Sequence, residues 1–166
     1  MAHSMFLYRR NLPHLRVSGA VYFVTWRLAL HQSLLDERER TAVLAVLGHF
    51  CGARYNLGAH VVMDDHVHVL VCPNSGHPLT EIIHSWKSYS AHVLQRQHGR
   101  SGTVWQKESF DRVVRDVREL QAKTHYIEHN PFKRWPALTQ YPWVNGGNLF
   151  PGKDAGERKA PPCKEL

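Results

Sequence analysis

Ala59-His60-Val61-Val62-Met63-Asp64-Asp65-His66-Val67-His68-Val69-Leu70-Val71-Cys72 is the stretch that decides the architecture. Two apolar runs, 59–63 and 66–72, flank a pair of aspartates, and Pro73-Asn74 stops the second. β-Branched residues suit a pleated, half-buried surface and Asp-Asp suits a tight reversal, so the stretch reads as two antiparallel strands joined by a turn. On its N-terminal side Asn56-Leu57-Gly58 punctuates the chain. Before that, Leu44, Leu47 and Phe50 recur at near-helical spacing behind Ser33, the expected cap, with Asp36 in the first turn. Residues 19–30 (GAVYFVTWRLAL) are too rich in β formers for a helix and read as a first strand. On the C-terminal side, Ile82, Ile83, Trp86, Tyr89 and Val93 predict a helix from Leu79 to Gln97, followed by a polar, glycine-rich loop at 98–102. Residues 103–106 and 110–114 read as extended. Asp116, with Glu119 three residues on, opens a third helix that Pro131 is expected to close. The order is that of an α+β, ferredoxin-like (split βαβ) antiparallel sheet with helices on one face and an added C-terminal helix.

The 166 residues, 43% of them hydrophobic, predict one compact domain over 1–150 and exclude disorder throughout. Trp86, Tyr89, Trp105 and Phe110 are expected in its core. Residues 131–150 read as an ordered wrapping segment stapled by Trp135, Tyr141 and Trp143, and 151–166 as a flexible tail. Lys and Arg number 21 against 14 Asp and Glu, a net charge of +7 with a pI near 9.6. That excess suits a polyanionic partner, although it also serves solubility alone. Three cysteines, Cys51, Cys72 and Cys163, with no C-x-x-C pair, support neither a disulfide framework nor a four-thiolate zinc site. No apolar stretch reaches the roughly 18 residues of a membrane span, and Met1 to Arg10 lacks a secretory pattern. A soluble, cytoplasmic protein without a membrane partner is the expectation.

Chemistry concentrates in two places. In a strand, residues two apart share a face and lie about 7 Å apart, so His66 and His68 can converge on one divalent ion. On this motif alone, two solvent-side histidines beside a buried valine are the favoured reading. In the third helix, Val117, Leu120, Thr124 and Ile127 form the expected inward stripe, with Tyr126 roughly opposite its middle, Asn130 one turn later on the same face, and Lys123 bordering it. A surface tyrosine and a helix C-cap are the alternatives for Tyr126 and Asn130. Jointly, a metal pair, a phenol, an amide and a basic chain are the parts needed to attack a phosphodiester. Imidazole and amide ligands are compatible with Mg²⁺, Mn²⁺ or Zn²⁺.

Four segments then resemble, in order and spacing, the REP-associated tyrosine transposases, a branch of the single-tyrosine HUH transposases. They are Val61 to Val71, Trp86-Lys87-Ser88-Tyr89, Val104 to Arg112, and Tyr126-Ile127-Glu128-His129-Asn130-Pro131-Phe132-Lys133, within a likeness running from Tyr8 to Trp143. The resemblance implies a metal-dependent single-stranded DNA endonuclease and strand transferase acting beside imperfect hairpins. It makes His66 and His68 the metal pair, Asn130 the third ligand, and Tyr126 the nucleophile that leaves a 5′-phosphotyrosine. Mg²⁺ or Mn²⁺ is the implied cofactor, and no nucleotide cofactor is needed because the ester stores the bond. Tyr8, Arg9 and Arg10 become candidates for reading the hairpin foot. Arg112, Arg115 and Arg118 fit a solvated face, but their position leading into the third helix favours a phosphate track, and Lys123 is a candidate for holding a phosphate. Asp64-Asp65 departs from the commoner proline-asparagine before the first histidine. A nucleoid-associated monomer or homodimer fits this reading. The alternatives are a replication-initiator or relaxase nickase built on the same histidine pair, a catalytically idle hairpin-binding module, and a zinc hydrolase.

Overall fold

The computed structural model describes residues 19–147 and 149. Tyr8, Arg9, Arg10 and the expected tail at 151–166 lie outside them. In chain order the elements are β1 (Tyr22–Leu28), α1 (Glu37–Gly48), β2 (Tyr55–Val62), β3 (His66–Pro73), α2 (Leu79–His98), β4 (Trp105–Val113), α3 (Val117–Arg134) and β5 (Val144–Asn145). The sheet runs β4-β1-β3-β2-β5 with every pair antiparallel. Its first four strands have the split βαβ order expected, and β5 adds an edge.

Alternation along β3 divides the sheet into two faces. Val67, Val69 and Val71 share theirs with Val24 and Trp26 of β1, packed under α1 and α2. Trp26 stacks on Trp86 of α2 at 5.8 Å and meets Trp105 edge-on at 6.2 Å. Several polar atoms of this core are satisfied in a relay: Trp86 Nε1 donates to the Tyr55 hydroxyl, which donates to the Leu47 carbonyl, and Trp105 Nε1 donates to Ser90 Oγ, while the buried Trp26 Nε1 has no hydrogen-bond partner among the described residues. His66, His68 and Leu70 point to the opposite face, and there α3 packs.

Several expectations change. The N-cap of α1 is Asp36, not Ser33: its side chain accepts from the Glu39 amide while the Glu39 carboxylate accepts from the Asp36 amide, a full capping box. Ser33 instead offers its carbonyl to Arg100, which also bonds the Leu34 carbonyl and forms a bidentate pair with Glu39, Nε to Oε1 at 2.5 Å and Nη2 to Oε2 at 2.7 Å. Gly58 does not precede β2 but lies within it, where an extra residue interrupts the pairing between Leu57 and His60. A Cβ there would stand 2.9 Å from that of Leu70, so the close packing needs glycine. The two extended pieces around 107–109 form one strand, β4. Tyr89 and Phe110 are 56% and 55% exposed, outside the core that takes in Trp86 and Trp105. Pro131 lies inside α3, which continues to Arg134.

The wrapping segment is stapled as its aromatics predict. Trp135 stacks on Tyr141 at 5.6 Å, Tyr141 meets Trp143 edge-on, and the Arg40 guanidinium lies 4.1 Å from the Trp143 ring centroid. The Tyr141 hydroxyl donates to the Val62 carbonyl, and the Val62 amide donates to the Trp143 carbonyl. Burial pushes the Tyr141 phenol up to about 12.

Candidate active site

α3 starts at Asp116, whose carboxylate accepts from the Glu119 amide. The Glu119 carboxylate reaches both Arg112 and Arg115, at 2.8 and 3.0 Å, tying the first turn to β4. Within the helix Ile127 is fully buried and Leu120 packs at the edge of the core, whereas Val117 is 69% exposed and takes no part in the expected stripe. Tyr126 does not face away from the packing side. It is one residue, about 100°, from Ile127, so a helix lying on a sheet brings both toward it. Its ring meets His68 at 5.3 Å and Phe23 at 6.3 Å between centroids, and the residue remains 38% exposed.

One helical stripe therefore carries Tyr126, Asn130 and Arg134, four residues apart. Its first member meets His68. Its last donates through Nη2 (2.8 Å) and Nε (3.2 Å) to Asp64 Oδ2, in the turn before His66. Asn130 lies halfway between these contacts. Because α3 runs on through Arg134, Asn130 sits in the helix interior and is not a C-cap.

The two histidines are oriented from behind. Their ring centroids are 4.6 Å apart. His66 Nδ1 is 2.5 Å from Asp65 Oδ1, and His68 Nδ1 is 2.7 Å from Thr25 Oγ1 on β1. With Nδ1–H donated to the carboxylate and to the hydroxyl, both Nε2 lone pairs are left for a metal, the usual arrangement behind a ligating imidazole. Burial alone would raise the Asp65 carboxyl, but the His66 hydrogen bond and charge, with Arg134 and Arg27, hold it below the usual range. For His68, burial, aided by the charges of His66, Arg27 and Lys123, brings the imidazole down to about 3. It is neutral near pH 7, as a ligand must be. Among the described residues no group of three His, Cys, Asp or Glu side chains converges, so a third protein donor would be of another kind. The residues present fit a divalent ion.

Cations surround the phenol. Lys123 Nζ lies 4.5 Å from the Phe23 centroid and 5.9 Å from that of Tyr126, and Lys133 Nζ lies 5.1 Å from Tyr126 on the other side. Thr25, Asp65 and Lys133 are the residues that sequence reasoning missed. Asp65 had a local signal, as the acid immediately before the first histidine; Thr25 reaches the site only through tertiary packing, and Lys133 from two turns further along α3.

Residues 16–130 match the family model described as IS200-like transposase. The fold resembles the solved structure of a REP-associated tyrosine transposase bound to a REP hairpin, at 21% identity over 98% of both chains with a TM-score of 0.64. A protein from Deinococcus radiodurans R1, described as a candidate transposase, matches at 23% identity over 72% of this chain and 96% of its own, with a TM-score of 0.48. No curated protein matches the sequence. No helix among the described residues is long and apolar enough to cross a membrane. The family match spans the histidine pair, the phenol and the amide and covers more than half of the chain, which belongs to the IS200-like transposases.

Proposed function

We propose that the protein is a metal-dependent, tyrosine-using endonuclease and strand transferase for single-stranded DNA beside hairpins, of the REP-associated branch. The observation that carries this reading is the stripe on α3 that holds Tyr126 against His68 while Arg134 grips the turn before His66. His66, His68 and Asn130 would hold a divalent ion, Mg²⁺ or Mn²⁺. When bound, such an ion polarises a phosphoryl oxygen.

This chain's own residues do the rest. The Tyr126 oxygen attacks phosphorus, its proton passing to solvent, and the bond from phosphorus to the 3′ oxygen breaks. A 5′-phosphotyrosine and a 3′-hydroxyl result, the latter taking a proton from water. Lys123 and Lys133 favour the phosphate and the charge that develops on it electrostatically. Asp65 and Thr25 fix the imidazoles. The hairpin preference is supported by the DNA in the similar solved structure, and rejoining needs no nucleotide because the ester conserves the bond energy.

Tyr126→Phe removes one oxygen and keeps the ring that touches Phe23 and His68. The wild type should form a denaturation-resistant adduct with a labelled hairpin-bearing single strand in Mg²⁺ or Mn²⁺, and the variant should bind the same DNA without forming it. An adduct in the variant would put the nucleophile elsewhere. Binding without any wild-type adduct would leave a hairpin-binding module.

A further inference from the structure

α3 packs mainly over the β2–β3 half of the histidine-bearing face, and reaches the other half through Tyr126 and Lys123 at Phe23 of β1 and through Glu119 at Arg112 of β4. On the other half, strand register sets up a row: His68 is paired with Thr25, and Thr25 with Phe110. Directly paired residues point to the same side. Since Thr25 bonds His68, the exposed Phe110 ring stands on the face of the metal pair, two strands away and about 10 Å from His68. Arg112 pairs with Phe23 and Arg27 with His66, so guanidiniums flank the row on both sides. Both keep capacity for a further anion: Arg27 is 58% exposed and 3.6 Å from Asp65, and Arg112 is 43% exposed beside Glu119.

We propose that the exposed part of this half, with Phe110 between Arg27 and Arg112, is a subsite for the unpaired base adjoining the phosphate that Tyr126 attacks. The proposal rests on the function just given. A lone exposed phenylalanine would call for no explanation. Here the ring lies in register with the ligand pair, across the partly buried side chain of Thr25, which lets a flat base lie low on the sheet. A base offers a π-face to Phe110 while its flanking phosphates face guanidiniums, the combination that single-strand binding sites use. A second copy of the chain would bring the same cations against themselves, with +7 on each partner.

The test places 2-aminopurine at successive positions of the single strand flanking a synthetic hairpin and adds full-length protein. Fluorescence should change at one or two positions next to the cleavage point with the wild type and with Tyr126→Phe, but not with Phe110→Ala. Affinity for the flanked hairpin should fall about 5- to 150-fold in Phe110→Ala, the range for losing one base–aromatic stack. Affinity for the hairpin without its flank should stay the same, and Phe110→Trp should restore the signal. An unchanged signal and affinity in Phe110→Ala would overturn the subsite while leaving the Tyr126 adduct intact. A missing wild-type adduct with the Phe110-dependent signal present would overturn the nuclease reading and spare the subsite. Sedimentation of both proteins completes the test: a wild-type dimer that Phe110→Ala makes monomeric would assign the face to self-association and overturn the proposal.

Discussion

Asp65 acts at one remove from the reaction. It touches no candidate ligand atom of the metal, yet it holds His66 through Nδ1, so its removal should loosen the imidazole without emptying the core. Loss of such an outer partner typically lowers metal affinity about 10- to 100-fold. Asp65→Ala should show that drop for Mn²⁺ by titration calorimetry, with an unchanged melting temperature in the absence of metal. An unaltered affinity would remove Asp65 from the site. That His66 shares a face with His68, and Tyr126 with Asn130, was legible because spacings of two and four residues translate directly into shared faces. Thr25 and Lys133 were not, since each reaches the site from a distant part of the chain or across two helical turns. Asp64 and Asp65 were legible as turn residues and as acids close to the histidines in sequence, but not their specific partners, Arg134 and His66.

At the scale of elements, α1 and the loop after α2 depend on one guanidinium. The Arg100 and Glu39 side chains are 6% and 7% exposed, so deleting the arginine would leave a carboxylate buried and unpaired. Arg100→Ala should cost about 3–5 kcal/mol in chemical denaturation, the range for breaking a buried pair from one side. pH gives a second readout. Burial alone would raise the Glu39 carboxyl, but hydrogen bonds from Arg100 and from the Asp36 amide, with the Arg100 charge, leave it lowered. A folded-state pKa below the unfolded 4.5 means the stabilisation is complete above that pH and is lost as pH falls through the folded value. The wild type should therefore lose stability more steeply below pH 4.5 than Glu39→Gln. The first six elements were readable in the sequence because hydrophobic period and turn residues agreed. Element ends were less so: Pro131 looked like a stop, yet α3 runs one turn further, held by Arg134 on Asp64.

For the whole molecule, the charge of +7 becomes a measurable salt dependence. Log affinity for single-stranded DNA should fall linearly with log salt, at about 0.7 per phosphate neutralised. Lys133→Ala should reduce that slope by about 0.7 if its ammonium meets a phosphate, and by nothing if it serves only the Tyr126 ring. Composition made a polyanionic partner an expectation but gave it no face, because a count of charges carries no direction; the sheet supplies one by giving one side to the core and the other to the candidate site. The alternation in β3 has a further consequence for how such a gene can change. A one-residue slip of the strand, not absorbed by a bulge such as that at Gly58, would carry His66 and His68 into the valine-lined interior and set valines before Tyr126, so fold and chemistry would fail together. A length change that spares the chemistry must therefore fall in a turn or be taken up by a bulge, and the one-residue gap between the histidines constrains the site as much as the imidazoles themselves.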